Sequence, residues 1–81
     1  MSKSSIIDKI LDYRNDNNIE FNDLVTLLKQ LNFASRIKGD HFIFHRQDIN
    51  EIINIQPNKN KAKAYQVKQV RNIIIKYKLG R

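Results

Sequence analysis

In the first third of the chain, apolar positions recur with the spacing of helices. Residues 5–14 are predicted to form one amphipathic helix, with Ser5 as its N-cap and Asp8 three residues later. A second helix is predicted to begin with Asn22 as its cap and to end at Asn32. Leucines form its expected buried stripe, at i, i+3, i+4 and i+7: Leu24, Leu27, Leu28 and Leu31.

From residue 33 the pattern changes to the period of two that is typical of strands. We expect strands over residues 33–38, 41–45 and 51–56, with a tight turn at Gly39 and Asp40 and a stop at Pro57. In the middle strand, Phe42 and Phe44 are expected to face the core, and the intervening positions the other side.

Residues 65–78 return to a helical period after a lysine-rich loop, and Gly80 is the expected stop. The order α-α-β-β-β-α predicts an α+β fold, with a three-stranded antiparallel sheet that helices cover on one face only. Since 81 residues provide one core, we expect a single domain over residues 1–81.

Charged side chains are distributed unevenly along the sequence. Residues 1–31 carry four basic and five acidic side chains, whereas residues 32–81 carry eleven and three. From residue 57 onward there are eight lysines and arginines and no acid. A one-sided basic surface is typical of a protein that binds a polyanion; the alternative is charge that only maintains solubility.

The residue types that the chain lacks limit its chemistry and its location. There is no cysteine, which excludes disulfides and thiolate metal sites. No run approaches the ~18 apolar residues of a membrane span, and the N-terminus does not resemble a signal peptide. We therefore expect a cytoplasmic protein with no membrane partner.

His41 and His45 are the candidates for chemistry, since both are expected on the open face of the sheet. RNA can be cut without a metal or cofactor if a base takes the 2′-hydroxyl proton and an acid protonates the leaving 5′-oxygen. His45 is the weaker, auxiliary candidate, because four residues of strand separate it from His41 by ~13 Å at ~3.3 Å per residue. That separation also argues against a metal site. The alternative is that both are polar surface residues.

Basic side chains on the strands, the loop and the last helix are the expected contacts to the RNA backbone. They are Arg36, Lys38, Arg46, Lys59, Lys61, Lys63, Lys68 and Arg71. Tyr65 is an auxiliary candidate that could stack on a base, although an aromatic residue at a helix start more often anchors packing.

Three blocks of sequence, in order, resemble the HicA family of prokaryotic mRNA interferase toxins. They are Phe21-Asn22-Asp23-Leu24 with Asn32-Phe33, Gly39-Asp40-His41-Phe42-Ile43-Phe44, and residues 53–57 with 62–71. The resemblance covers residues 19–80. It implies a double-stranded-RNA-binding-domain-like core over residues 19–81 and leaves residues 1–18 as a helical extension.

The resemblance further implies a metal-independent endoribonuclease of a type II toxin–antitoxin system, with mRNA as substrate and a HicB-like antitoxin as partner. The family histidine aligns with His41. Asp40 stands where the family usually has serine, and Phe42 where a second histidine is common. A carboxylate at Asp40 would repel RNA or steady a protonated His41, so it is an auxiliary candidate. A non-catalytic RNA-binding module, a decayed toxin, and a domain that binds an acidic protein are the alternatives.

Overall fold

A computed structural model describes residues 3–79 as helices stacked on one small sheet. The helices are α1 (Lys3–Leu11), α2 (Phe21–Gln30) and α3 (Ala64–Tyr77), and a 3-10 turn at Tyr13–Asn15 follows α1. The strands β1 (Ala34–Lys38), β2 (His41–Arg46) and β3 (Ile49–Ile55) form an antiparallel sheet in that order. The predicted α+β class and the order α-α-β-β-β-α are confirmed.

Both predicted helix caps are wrong. Helix α1 begins at Lys3, so Ser5 lies inside it. Helix α2 begins at Phe21, so Asn22 is its second residue. The chain before α2 is instead held by backbone hydrogen bonds to the loop before α3, from Phe21 N–H to Asn60 C=O and from Ala62 N–H to Ile19 C=O, both 2.9 Å long. Local capping patterns contain no information about such a distant contact.

Helix α1 also ends earlier than predicted, at Leu11 rather than at residue 14. The Asp12 side chain accepts a 3.0 Å hydrogen bond from the backbone N–H of Arg14. A short acidic side chain competes in this way for backbone donors, and it caps the 3-10 turn that replaces the last turn of helix.

Helix α2 ends as predicted, at a left-handed asparagine. Asn32 has a φ of 69°. Its N–H donates to Lys29 C=O, and Phe33 N–H donates to Leu28 C=O at 3.1 Å, which together form a Schellman motif. Helix α3 ends similarly at Lys78, with a φ of 55°. The predicted stop at Gly80 lies outside the described residues.

The turn between β1 and β2 determines where β2 begins. Lys38 pairs directly with His41, so only Gly39 and Asp40 connect the strands. Gly39 has a φ of 64°, and a positive φ at the first of two central residues is the type II′ arrangement that favours glycine. His41 is consequently the first residue of β2.

The core lies between the helices and one face of the sheet. Phe44 and Ile53 are completely buried there, and the predicted leucine stripe of α2 is buried against them. Ile7 and Ile10 of α1 are buried in the same core, so this helix packs as an integral layer. Within residues 3–79, every helix is too short or too polar to cross a membrane.

Candidate nucleic-acid interface

The sheet face that points away from the helices displays side chains in rows across the strands. Directly paired residues of antiparallel strands project to the same face. Lys38 is paired with His41, and Arg36 with Ile43. In β3, Asn54 is paired with Ile43 and completes that row. His41, Lys38, Arg36 and Asn54 are all exposed, so a ligand can reach this face directly.

The His41 imidazole has a polar neighbour at each ring nitrogen. Its Nδ1 lies 3.1 Å from Asn54 Oδ1, a hydrogen-bond distance. Its Nε2 lies 3.9 Å from Asp40 Oδ1, which is too long for a hydrogen bond but close enough for electrostatic attraction to a protonated ring. The ring is therefore held at one side and accessible at the other.

Asp40 is itself held by the residue that follows β3. Gln56 Nε2 donates a 2.8 Å hydrogen bond to Asp40 Oδ2. This bond is the main reason that the pKa of Asp40 lies below its ordinary value, with smaller effects from its own backbone N–H, His41 and Lys63. Asp40 is thus a carboxylate at neutral pH, and it places a negative charge beside His41.

A completely buried glutamine connects this site to the start of α3. Gln66 Nε2 donates to the backbone C=O of Gln56 at 3.2 Å, and Gln66 Oε1 accepts from the backbone N–H of Lys63 at 3.2 Å. These bonds position the end of β3 and the first turn of α3 relative to each other. They bring Lys63 close enough to Asp40 to lower the pKa of that carboxyl.

The structure leaves some of the predicted RNA contacts available. Arg36, Lys38, Lys59 and Lys68 are exposed, and none of them forms an ion pair with another residue of the described range 3–79. Lys38 and Arg36 share the face of His41. A cation therefore lies directly across the strand from the histidine, and a second lies one row away.

Three other predicted contacts form ion pairs with acidic side chains of the protein. Arg46 donates to Leu31 C=O at 2.8 Å, pairs with Asp48 at 2.8 Å, and its guanidinium lies 6.0 Å from the centre of the Phe33 ring. Arg71 pairs with Asp16 at 2.6 Å. Lys61 pairs with Glu20 at 2.7 Å. We leave these three residues out of the candidate interface.

Of the auxiliary candidates, Asp40 lies beside His41, whereas neither His45 nor Tyr65 forms a hydrogen bond or an ion pair with it within residues 3–79. His45 is exposed on the same face, but it pairs with Ala34 at the opposite end of β1. Tyr65 is exposed on α3 and forms no ring contact within residues 3–79. Asn54 and Gln56 contact the site but were not predicted from the sequence, because their proximity depends on the register between β2 and β3.

No group of three histidine or acidic side chains within residues 3–79 is placed to hold a metal ion. Comparison of the chain with protein-family models, with curated proteins and with solved structures finds no significant match. The function is therefore inferred from the side chains of this chain.

Proposed function

We propose that the protein is a metal-independent endoribonuclease in which His41 transfers protons. The observation that carries the proposal is the position of His41 on the open sheet face, directly opposite Lys38, which forms no ion pair within residues 3–79. Histidine transfers protons near neutral pH, and a lysine beside it offers the cation that a phosphodiester requires. The acid-free stretch from residue 57 onward adds to the positive potential of the protein.

The reaction follows from these groups. His41 takes the proton of a 2′-hydroxyl, the 2′-oxygen forms a bond to the adjacent phosphorus, and the bond from phosphorus to the 5′-oxygen breaks. The proton that His41 holds then passes to the leaving oxygen, which gives a 2′,3′-cyclic phosphate and a 5′-hydroxyl and returns His41 to its neutral form. Lys38 contacts the reacting phosphate. Arg36, two residues away along β1 at ~3.3 Å per residue, contacts a neighbouring phosphate.

The resemblance to the HicA family supports a more specific proposal. The core order α2-β1-β2-β3-α3 has the arrangement of elements that the resemblance implies. In this proposal the protein is the toxin of a type II toxin–antitoxin pair, acts on mRNA, and is neutralised by a HicB-like antitoxin. Such an antitoxin would cover the open basic face and exclude RNA from His41.

A non-catalytic RNA-binding module is the second candidate, and Asp40 favours it. Its carboxylate lies 3.9 Å from His41 Nε2 and repels a phosphate approaching that nitrogen. In this case the same cations bind the RNA backbone, but no bond is broken.

The deciding experiment compares the parent protein with His41→Ala and His45→Ala variants on a long single-stranded RNA in EDTA. His45 is the matched control, because it is exposed on the same strand and face. General acid–base catalysis contributes ~10²–10⁴-fold, so His41→Ala should slow cleavage at least ~100-fold and His45→Ala should cut near the parent rate. Equal rates of cleavage by the parent and by His41→Ala would contradict a catalytic role for His41. Intact RNA that shifts in a mobility gel would support the binding module.

A further inference from the structure

We propose that Asn54 is a positioning residue that keeps the neutral His41 ring protonated at Nδ1, so that Nε2 is the nitrogen that accepts the substrate proton. The assignment of the ring proton depends only on the contacts of His41. Its consequence for cleavage rests on the proposed ribonuclease function.

The argument begins with the 3.1 Å contact between His41 Nδ1 and Asn54 Oδ1. A carbonyl oxygen accepts hydrogen bonds and donates none, so Nδ1 must carry the proton in this pair. A neutral imidazole has only one N–H. Nε2 therefore has a free lone pair, and it is this nitrogen that can act as a base.

Asp40 favours the opposite tautomer, and the distances from the ring to Asp40 and to Asn54 show which of the two residues determines the position of the proton. A carboxylate near Nε2 favours a proton on that nitrogen, which would remove the base. Asp40 Oδ1 is 3.9 Å from Nε2, whereas Gln56 holds Oδ2 by a 2.8 Å hydrogen bond. Because the hydrogen bond at Nδ1 is formed and the one at Nε2 is not, the Nδ1–H form prevails.

The same contacts fit the second half of the proton cycle. Once Nε2 takes a proton, both ring nitrogens are donors. Asn54 Oδ1 still accepts from Nδ1, and the carboxylate of Asp40 stabilises the new positive charge. The ring does not need to turn between the two states. Other groups near His41 are Lys38 across the strand and Lys63, which acts on Asp40.

The ring proton can be located directly by nuclear magnetic resonance. Long-range ¹H–¹⁵N spectra report which imidazole nitrogen is protonated, at a pH well above the histidine titration range. The chain has two histidines, and His45 serves as an internal reference because it has no side-chain hydrogen bond within residues 3–79. We expect His41 as Nδ1–H and His45 mainly as Nε2–H, the form that histidine prefers in water. A His41 ring protonated mainly at Nε2 overturns the proposal.

Variants then test whether Asn54 is responsible. Asn54→Leu should shift His41 towards Nε2–H, whereas Asn54→Asp, which retains an acceptor oxygen, should restore Nδ1–H. Asn50→Leu is the matched control, because Asn50 is exposed on the same strand and has no side-chain hydrogen bond within residues 3–79. An unchanged tautomer in Asn54→Leu overturns the proposal. If that variant does not fold, Asn54→Ala provides the same test.

Cleavage rates provide a separate readout. Losing one neutral hydrogen bond should lower the cleavage rate of Asn54→Leu about fivefold, with unchanged RNA affinity and an unaffected Asn50→Leu control. A rate equal to that of the parent would overturn the positioning role. If the parent does not cut RNA at all, the proposed function fails, and the tautomer measurement alone decides the assignment of the ring proton.

Discussion

Replacing Arg71 with methionine removes an ion pair that joins α3 to the segment after α1. The Arg71 guanidinium contacts Asp16 through two bonds, of 2.6 and 3.3 Å, and donates a third, of 3.4 Å, to the backbone C=O of Ile10. The two side chains are only 11% and 14% exposed. Methionine keeps much of the volume of the arginine but leaves the carboxylate of Asp16 without its cation.

The expected cost follows from this burial. Breaking a fully buried pair by removing one partner costs ~3–5 kcal/mol, whereas an exposed pair contributes ~0–1 kcal/mol. Because both side chains keep some contact with water, we expect Arg71→Met to lower the free energy of unfolding by about 2–3 kcal/mol. A domain of this length is stable by roughly 4–12 kcal/mol, so the variant loses a large share of its stability.

Urea unfolding followed by circular dichroism measures this loss. Arg14→Met is the control, since the pair of Arg14 with Asp12 has side chains that are 77% and 32% exposed, and water screens it, so its loss should cost much less than that of the Arg71 pair. The double variant Asp16→Leu with Arg71→Met should regain stability relative to Arg71→Met, because no buried charge remains unpaired. If Arg71→Met is as stable as Arg14→Met and binds RNA more weakly, Arg71 acts at the RNA interface and the reasoning is refuted.

Three further predictions concern other parts of the molecule. Hydrogen bonds, chiefly from Lys76, lower the pKa of Glu51 from 4.5 to about 2, so its stabilising effect is complete above pH 4.5 and is lost as the pH falls towards 2. The difference in unfolding free energy between the parent and Glu51→Gln should therefore shrink as the pH falls from 4.5 towards 2. A difference that stays constant over this range would contradict a stabilising role for the Glu51 carboxylate. Lys38→Ala should lower the magnitude of the slope of log affinity for RNA against log salt concentration by about one. The control Lys29→Ala, on α2, should leave that slope unchanged. The same slope for Lys38→Ala and the parent would exclude Lys38 as a phosphate contact. Asn32→Ala should lower the free energy of unfolding by about 1 kcal/mol, because alanine is strained at the φ of 69°, whereas Asn32→Gly should not lower it. Equal losses in the two variants would contradict backbone strain as the cause.

The parts of the fold that sequence could predict are those encoded by local periodicity. The leucine spacing of α2 and the alternation around Phe44 repeat with the periods of helix and strand, so the buried positions could be read from the chain. The start of α2 could not be predicted in this way. It depends on a hydrogen bond from Phe21 to Asn60, a residue far along the chain.

The same distinction between local patterns and distant contacts applies to the candidate site. The residue type of His41 and its position in the alternating pattern of the middle strand, which are both local features, predict it as a candidate. Asn54 and Gln56 reach the site only through the register of β3, and that register includes an irregularity between Phe44 and Arg46. Charge patterning places cations in a region of the chain but does not reveal their partners, so it could not distinguish Lys38, on the open face, from Arg71, which pairs with Asp16.

The chemical nature of the product ends tests the central claim most directly. The parent protein and an identically purified His41→Ala variant are incubated in EDTA with a single-stranded oligoribonucleotide and with DNA of the same sequence, and the products are identified by mass spectrometry. Attack of the 2′-oxygen on the phosphorus predicts RNA fragments with a 2′,3′-cyclic phosphate and a 5′-hydroxyl from the parent alone. DNA should stay intact because it has no 2′-hydroxyl. RNA that stays intact, fragments with a 3′-hydroxyl and a 5′-phosphate, or the same fragments from His41→Ala would contradict a histidine-centred, metal-independent ribonuclease.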